Sequence, residues 1–217
     1  MTGLIWKDFL ILRKTLRSYL MILLIYAAVA FSGFWSASFV GGFMMVMTAI
    51  LPLNVFAYDK QAKWDVYGLS LPVGRAKTVA ARYLSVLILF VFSAAVTALL
   101  GVALSLAGRM EEDLGQYLLT CAVCVVLSML MNAAMLPLLY KFGSERARIM
   151  LAGVLGVVFL LGTIVLVPFG GLDWLKSLEE PTMEQVFAIP AVAAVGGLIL
   201  LALSFLLSRR FYGNQDL

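Results

Sequence analysis

The sequence predicts an all-α integral membrane domain: six transmembrane helices preceded by a short amphipathic helix at the membrane interface. Three observations carry that reading. Of 217 residues, 63% are apolar and 13% charged, with a mean hydropathy of +1.02. A soluble domain is about half apolar and a quarter charged, so a soluble globular enzyme is excluded. Five stretches, 18–58, 83–108, 114–140, 149–172 and 185–208, contain no Asp, Glu, Lys or Arg. A helix needs about 20 apolar residues to cross a bilayer, so the 41-residue first stretch holds two spans and the others, at 24 to 27 residues, one each. Finally, the basic residues alternate in side from loop to loop. With the N-terminus inside, fourteen Lys and Arg fall on one side, and Arg109 and Lys176 alone on the other, among seven acids. Excess Lys and Arg in short loops marks the cytoplasmic side, so both termini are expected in the cytoplasm.

The elements follow in order. Residues 1–17 place Ile5, Phe9, Leu12 and Leu16 on one narrow helical stripe, with Lys7, Arg13, Lys14 and Arg17 in an arc beside it. Such a helix lies in the headgroup plane with its basic side on anionic lipid; alternatively, the charges only orient the first span. The apolar run that follows is a full span rather than the short core of a cleaved signal. Spans are expected at about 19–38, 42–57, 83–107, 115–139, 149–168 and 188–207, the first two separated around Ser36–Gly42. The 58–82 segment, YDKQAKWDVYGLSLPVGRAKTVAAR, is the longest loop on the basic side. Trp64 and Tyr67 share one face of its helix-compatible first half, and Pro72-Val73-Gly74 reads as a turn. That pair suits docking of a partner or anchoring at the membrane surface. The acidic-side loop 170–187 is either a short interfacial helix around Leu172, Trp174, Leu175 and Leu178 or a plain loop.

Within the spans, Ser93, Thr97, Gly101 and Ser105 recur every four residues, a small-residue ridge on which another helix can pack closely. Asn54 and Asn132 are expected to find interhelical partners, and Pro52 and Pro137 to bend their helices where neighbours satisfy the freed carbonyls. Met44, Met45 and Met47 give the second span a soft surface.

Chemistry is limited by what is missing. The chain has no His, which removes histidine acid–base catalysis and most zinc and haem sites. Cys121 and Cys124 sit in a CxxC spacing, but among Ala, Val and Leu, where small apolar packing is favoured over thiolate chemistry. Carriers coupled to protons or sodium place carboxylates or other polar ligands within their spans, and no carboxylate lies in the charge-free stretches. There is no GxxxxGK[ST], and no Lys follows a Gly. A transporter of this composition must therefore receive its energy from another subunit, and it has no enzymatic site of its own.

The opening MTGLIWKDFLILRKTLRSYL, the loop reading FAYDKQAKWDVYGLSLPVGRAKTVAARYL and the count of six spans are similar to the small membrane subunits of ABC-2-type transporters. Among these the chain most resembles the permeases that export phenol-soluble modulins, amphipathic peptide toxins. The resemblance implies two permease copies, identical or paralogous, bound to two cytoplasmic ATPase subunits that hold ATP and Mg. It makes residues 1–17 an elbow helix (Ile5, Lys7, Phe9, Leu12, Arg13, Lys14, Leu16, Arg17) and the 58–82 loop the carrier of the coupling helix. The ATPase-coupling residues it implies are Asp59, Lys60, Lys63, Trp64, Asp65 and Tyr67. The expected activity is ATP-driven export of amphipathic peptides, or of lipids and hydrophobic compounds. Nucleic acid is not an expected partner. A non-transporting immunity or scaffold protein that binds a cytoplasmic partner through the same loop is the alternative.

Overall fold

Every described element is a helix, as buried backbone in a lipid solvent demands of a chain without a closed barrel. A computed structural model describes residues 2–33, 35–64, 67–68, 74–110, 113–166 and 183–213, with backbone alone at 148, 151, 154–166, 183–187, 189, 190 and 193. The helices are α1 (Thr2–Phe31), α2 (Ala37–Gln61), α3 (Arg75–Leu106), α4 (Leu114–Leu166) and α5 (Met183–Gly213). Among the described residues, five stretches are long and apolar enough to cross a membrane: α1, α2, α3, Leu114–Ala147 of α4 and Ala194–Gly213 of α5.

The helices run past the charge-free stretches at both ends. α1 is continuous over 30 residues, where the sequence predicts a separate amphipathic helix ending near residue 17. No Gly, Pro or Asn interrupts the chain between Lys14 and Phe31, so nothing stops the helix once it has begun. The stripe of Phe9, Leu12 and Leu16 packs on Leu51, Val55 and Leu89 of α2 and α3 rather than on lipid, while Arg13, Lys14 and Arg17 stay exposed. The α1–α2 break also lies earlier than expected. Gly33 takes a left-handed φ of 76°, and the Ser36 side chain caps α2 by accepting a 3.3 Å hydrogen bond from Phe39 N. Gly41 and Gly42 are inside α2 and serve packing: a Cβ on Gly41 would stand 2.8 Å from Cys121 Sγ, and one on Gly42 3.2 Å from Cys124 Sγ. Both cysteines are free.

Two devices set how the helices approach one another. Tyr117 of α4 is fully buried against Gly101 of α3, where a Cβ would fall 2.1 Å from the ring, and its hydroxyl donates to Thr97 O at 2.6 Å. Ser93, Thr97 and Gly101 thus lie inside the bundle, whereas Ser105, a turn further on, is exposed. On the other flank of α4, Ser128 Oγ donates to Met45 O (3.2 Å) and Asn132 Nδ2 to Ala49 O (3.1 Å). Donors one turn apart on α4 therefore meet carbonyls one turn apart on α2, which fixes the register of the pair. Asn54 hydrogen-bonds Tyr19 of α1.

At Gly143 the α4 backbone leaves helical geometry (φ 77°, ψ 174°), a conformation that costs an L side chain strain. Before the break α4 runs parallel to α5: Met129 lies against Gly197, and the Tyr140 and Tyr212 rings are 5.4 Å apart. Beyond the break α4 is helical again to Leu166. The predicted 170–187 loop lies outside the described residues up to Met183, where α5 begins. Large apolar side chains such as Leu24, Val91, Leu99 and Leu203 point outward, which costs nothing where the surroundings are as apolar as they are.

Because no Cβ fits between α3 and the Tyr117 ring, Gly101→Ala should destabilise the detergent-solubilised protein by about 1–3 kcal/mol. Gly3→Ala, facing open space, should be close to neutral. Thermal unfolding of the two variants side by side checks this.

Candidate functional site

α1 begins, α2 ends, α3 begins and α5 ends at one end of the bundle, and the charges that bracket the apolar stretches meet there. Arg82, on the second turn of α3, is buried to 7% exposure between two carboxylates that are buried further still, Asp8 at 3% and Asp59 at 5%. Its Nη1 lies 2.9 Å from Asp8 Oδ1, and its Nη2 donates to Asp59 Oδ2. Lys7 completes the group, 2.8 Å from both oxygens of Asp59 and 3.5 Å from Asp8. Two cations thus balance two carboxylates across three helices. The Ser85 hydroxyl stands 3.1 Å from Asp8 Oδ2, and the Arg82 guanidinium covers the Phe56 ring at 4.8 Å. Removing charges from water is costly, and mutual pairing with extra hydrogen bonds is what makes burial tolerable. Nearby, Arg75 Nη1 donates to Gly213 O at 2.8 Å, tying the start of α3 to the end of α5.

The chain leaves α2 through Lys63, a non-glycine residue at φ 51°. Past this left-handed residue come Trp64 and Tyr67, both helical in backbone, whose rings are 5.5 Å apart. The Lys7 ammonium sits 4.2 Å from the centre of the Trp64 ring. One lysine therefore touches both the buried ion group and the loop aromatic, a cation–π contact worth about 0.5–2 kcal/mol.

The predicted site residues separate into distinct places. Asp59 is buried inside the ion group, on α2, which extends beyond it to Gln61. Lys60, Lys63 and Tyr67 are exposed and Trp64 is half-buried; Asp65 lies outside the described residues. Of the amphipathic stripe, Leu12 is buried, and Ile5, Phe9 and Leu16 are half-buried on the bundle side. Asp8, Arg82 and Ser85 were not singled out by sequence. Asp8 nonetheless occupies the stripe of Ile5, Phe9 and Leu12, a carboxylate on an apolar face, which signals a buried partner. The expectation that the helices bury no charged group is corrected: among the described residues they bury Asp8, Asp59 and Arg82, at this end.

The signature of the ABC-2 family transporter proteins matches residues 3–213, nearly the whole chain. The chain belongs to this family. No curated protein and no solved structure shows significant similarity to it. As an ABC-2 permease it is a multi-pass membrane subunit of an ABC transporter, the non-catalytic part that works with an ABC ATPase.

In this permease the ion group joins α1, α2 and α3, so single changes should cost more than a paired change. Asp59→Leu and Arg82→Leu each leave an uncompensated buried charge, and each should destabilise the fold by about 3–5 kcal/mol. The double variant keeps a balanced Lys7–Asp8 pair and should lose less than the sum by about 1–3 kcal/mol. Unfolding of the four proteins in detergent gives the cycle.

Proposed function

We propose that the chain is the permease of an ATP-driven exporter of amphipathic peptides, with lipids or hydrophobic compounds as lesser cargo. The observation that carries the reading is the aromatic pair of half-buried Trp64 and exposed Tyr67 beside the Lys7–Asp8–Asp59–Arg82 group. A load applied to that aromatic piece reaches three spanning helices through short, buried polar contacts. In this reading the end carrying both termini faces the cytoplasm, since fourteen of the sixteen Lys and Arg fall there. A second permease copy completes the pathway, and the partner ATPase holds ATP and Mg.

Six crossings fit the same reading. The parallel course of α4 before Gly143 and α5 supports one further crossing between them. Roughly 23 helical residues after Gly143 reach about 34 Å, enough for the hydrocarbon core. α1, at 30 residues, is about 45 Å long and exceeds that core by several turns. Its first turns, which bear Lys7, Arg13, Lys14 and Arg17, then emerge at the interface as an elbow without a break. The charge-free interior suits cargo that is itself half apolar, in keeping with the resemblance to exporters of phenol-soluble modulins.

Coupling through Trp64 has a direct test. Trp64→Ala should leave membrane insertion intact while export falls by an order of magnitude or more and the partner ATPase ceases to respond to cargo. Reconstituted vesicles with fluorescent amphipathic peptide, assayed for both transport and phosphate release, measure the two together. Normal export in that variant removes Trp64 from the coupling path. Failure of the tagged permease to co-purify with any ATPase removes the exporter reading itself.

A further inference from the structure

Beside Asp59 and Arg82 a cavity of about 390 Å³ opens between the ends of α2 and α5, the start of α3 and the break in α4. We propose that it is a binding site for the phosphate group of an anionic phospholipid from the adjoining leaflet. The inference stands apart from the transport reading and needs no ATPase.

The charge balance in the cavity carries the argument. Asp59 and Arg82 on its wall are already matched within the ion group of two cations and two carboxylates. The remaining charges on the wall, among the described residues, are Lys60 and Lys141, both cationic. Among the described residues neither makes an ion pair or a side-chain hydrogen bond; Lys141 only covers the Phe142 and Phe211 rings, at 5.0 and 5.1 Å. Lys60 Nζ lies 3.4 Å from where a Cβ on Gly143 would stand, so its ammonium is pressed against the break in α4. The non-helical geometry of Gly143 makes Ser144 the start of a new helical segment. The first N–H groups of such a segment lack intrahelical acceptors and form the positive end of its dipole. Ser144 itself is more than nine-tenths buried, lines the cavity and makes no side-chain hydrogen bond among the described residues; the Thr78 hydroxyl on the facing wall is likewise unengaged. Glu145, on the first turn of the segment, is exposed and does not line the cavity.

Two ammonium groups, a helix N-terminus and two idle hydroxyls therefore line one cavity where, among the described residues, no wall acid is left to neutralise them. A tetrahedral anion with several acceptor oxygens offsets that potential and uses every donor. The cavity is many times the roughly 30 Å³ share of one water molecule, so it admits a headgroup. It is also rimmed by Phe56, Tyr140 and Tyr212, aromatic residues of the kind that sit at headgroup depth. Basic pockets between membrane helices at the positively charged end are the usual places for anionic headgroups.

The test uses the full-length permease in a neutral detergent. Dioctanoyl phosphatidylglycerol, dioctanoyl phosphatidylcholine and inorganic phosphate are titrated separately while the thermal unfolding midpoint is followed, with native mass spectrometry to count bound lipid. Phosphatidylglycerol should raise the midpoint and remain bound, and phosphatidylcholine should not. The Lys60→Gln/Lys141→Gln variant should keep the wild-type midpoint in phosphatidylcholine but bind phosphatidylglycerol roughly 10- to 30-fold more weakly. Lys60→Arg/Lys141→Arg should bind it as the wild type does, and so should Lys14→Gln/Arg17→Gln, whose charges lie outside the cavity. Stabilisation by inorganic phosphate with the same lysine dependence would keep the phosphate site and overturn its assignment to lipid. An equal response to both lipids, an unaltered phosphatidylglycerol response in Lys60→Gln/Lys141→Gln, or no response to lipid or phosphate overturns the proposal.

Discussion

The arrangement depends first on four side chains at one end of the bundle. Lys7, Asp8, Asp59 and Arg82 come from three helices and pair so that no charge is left over. Helices surrounded by lipid gain little from burying apolar surface against each other, since the alternative environment is equally apolar. Charges brought together out of water are a different matter, because each is intolerable there without its counterpart. The group therefore dictates where α1 begins relative to the end of α2 and the start of α3. It also explains why α1 stays helical through its charged first turns: Lys7 and Asp8 have to be held at fixed depth beside Arg82.

Away from that end, steric fit and a few hydrogen bonds take over. Tyr117 occupies the space left by the missing side chains of Gly41 and Gly101, and its hydroxyl finds a carbonyl of α3. Ser128 and Asn132 reach carbonyls on α2. These contacts are short and directional, so they select one register where apolar ridges alone would permit several. The interior between them is free of charge, in keeping with a membrane subunit that takes its energy from an ABC ATPase.

Much of this was legible in the sequence. Five of the six expected spans coincide with helices long and apolar enough to cross a membrane, and the loop charges predicted that both termini share one end, as the contacts of Lys7 with Asp59 and of Arg75 with Gly213 now show. The small-residue ridge on α3 was legible to Gly101 but not to its limit, since Ser105 fits the spacing equally well and faces outward. The coupling candidates were read as one patch, yet Asp59 belongs to the ion group and Lys60 to the cavity at Gly143. Sequence spacing gave no warning, because the side a residue faces at a helix end depends on how far the helix continues. The amphipathic stripe of residues 5–16 was legible, but not the neighbour it packs on: the same periodicity serves a lipid surface or an adjoining helix, and here Phe9, Leu12 and Leu16 meet α2 and α3.

The amino-acid order by itself determined the solvent, the helical character and the alternation of sides, because these follow from local apolarity and from charges that cannot enter the bilayer. Only the tertiary structure decided which charges are neutralised and which are left over. Asp8 and Arg82 stand 74 positions apart in sequence and become partners through the packing of α1 on α3, while Lys60 and Lys141 are left facing a helix start that exists because Gly143 breaks α4. Pairing of charges is a property of distance in space, and spacing along the chain carries no record of it.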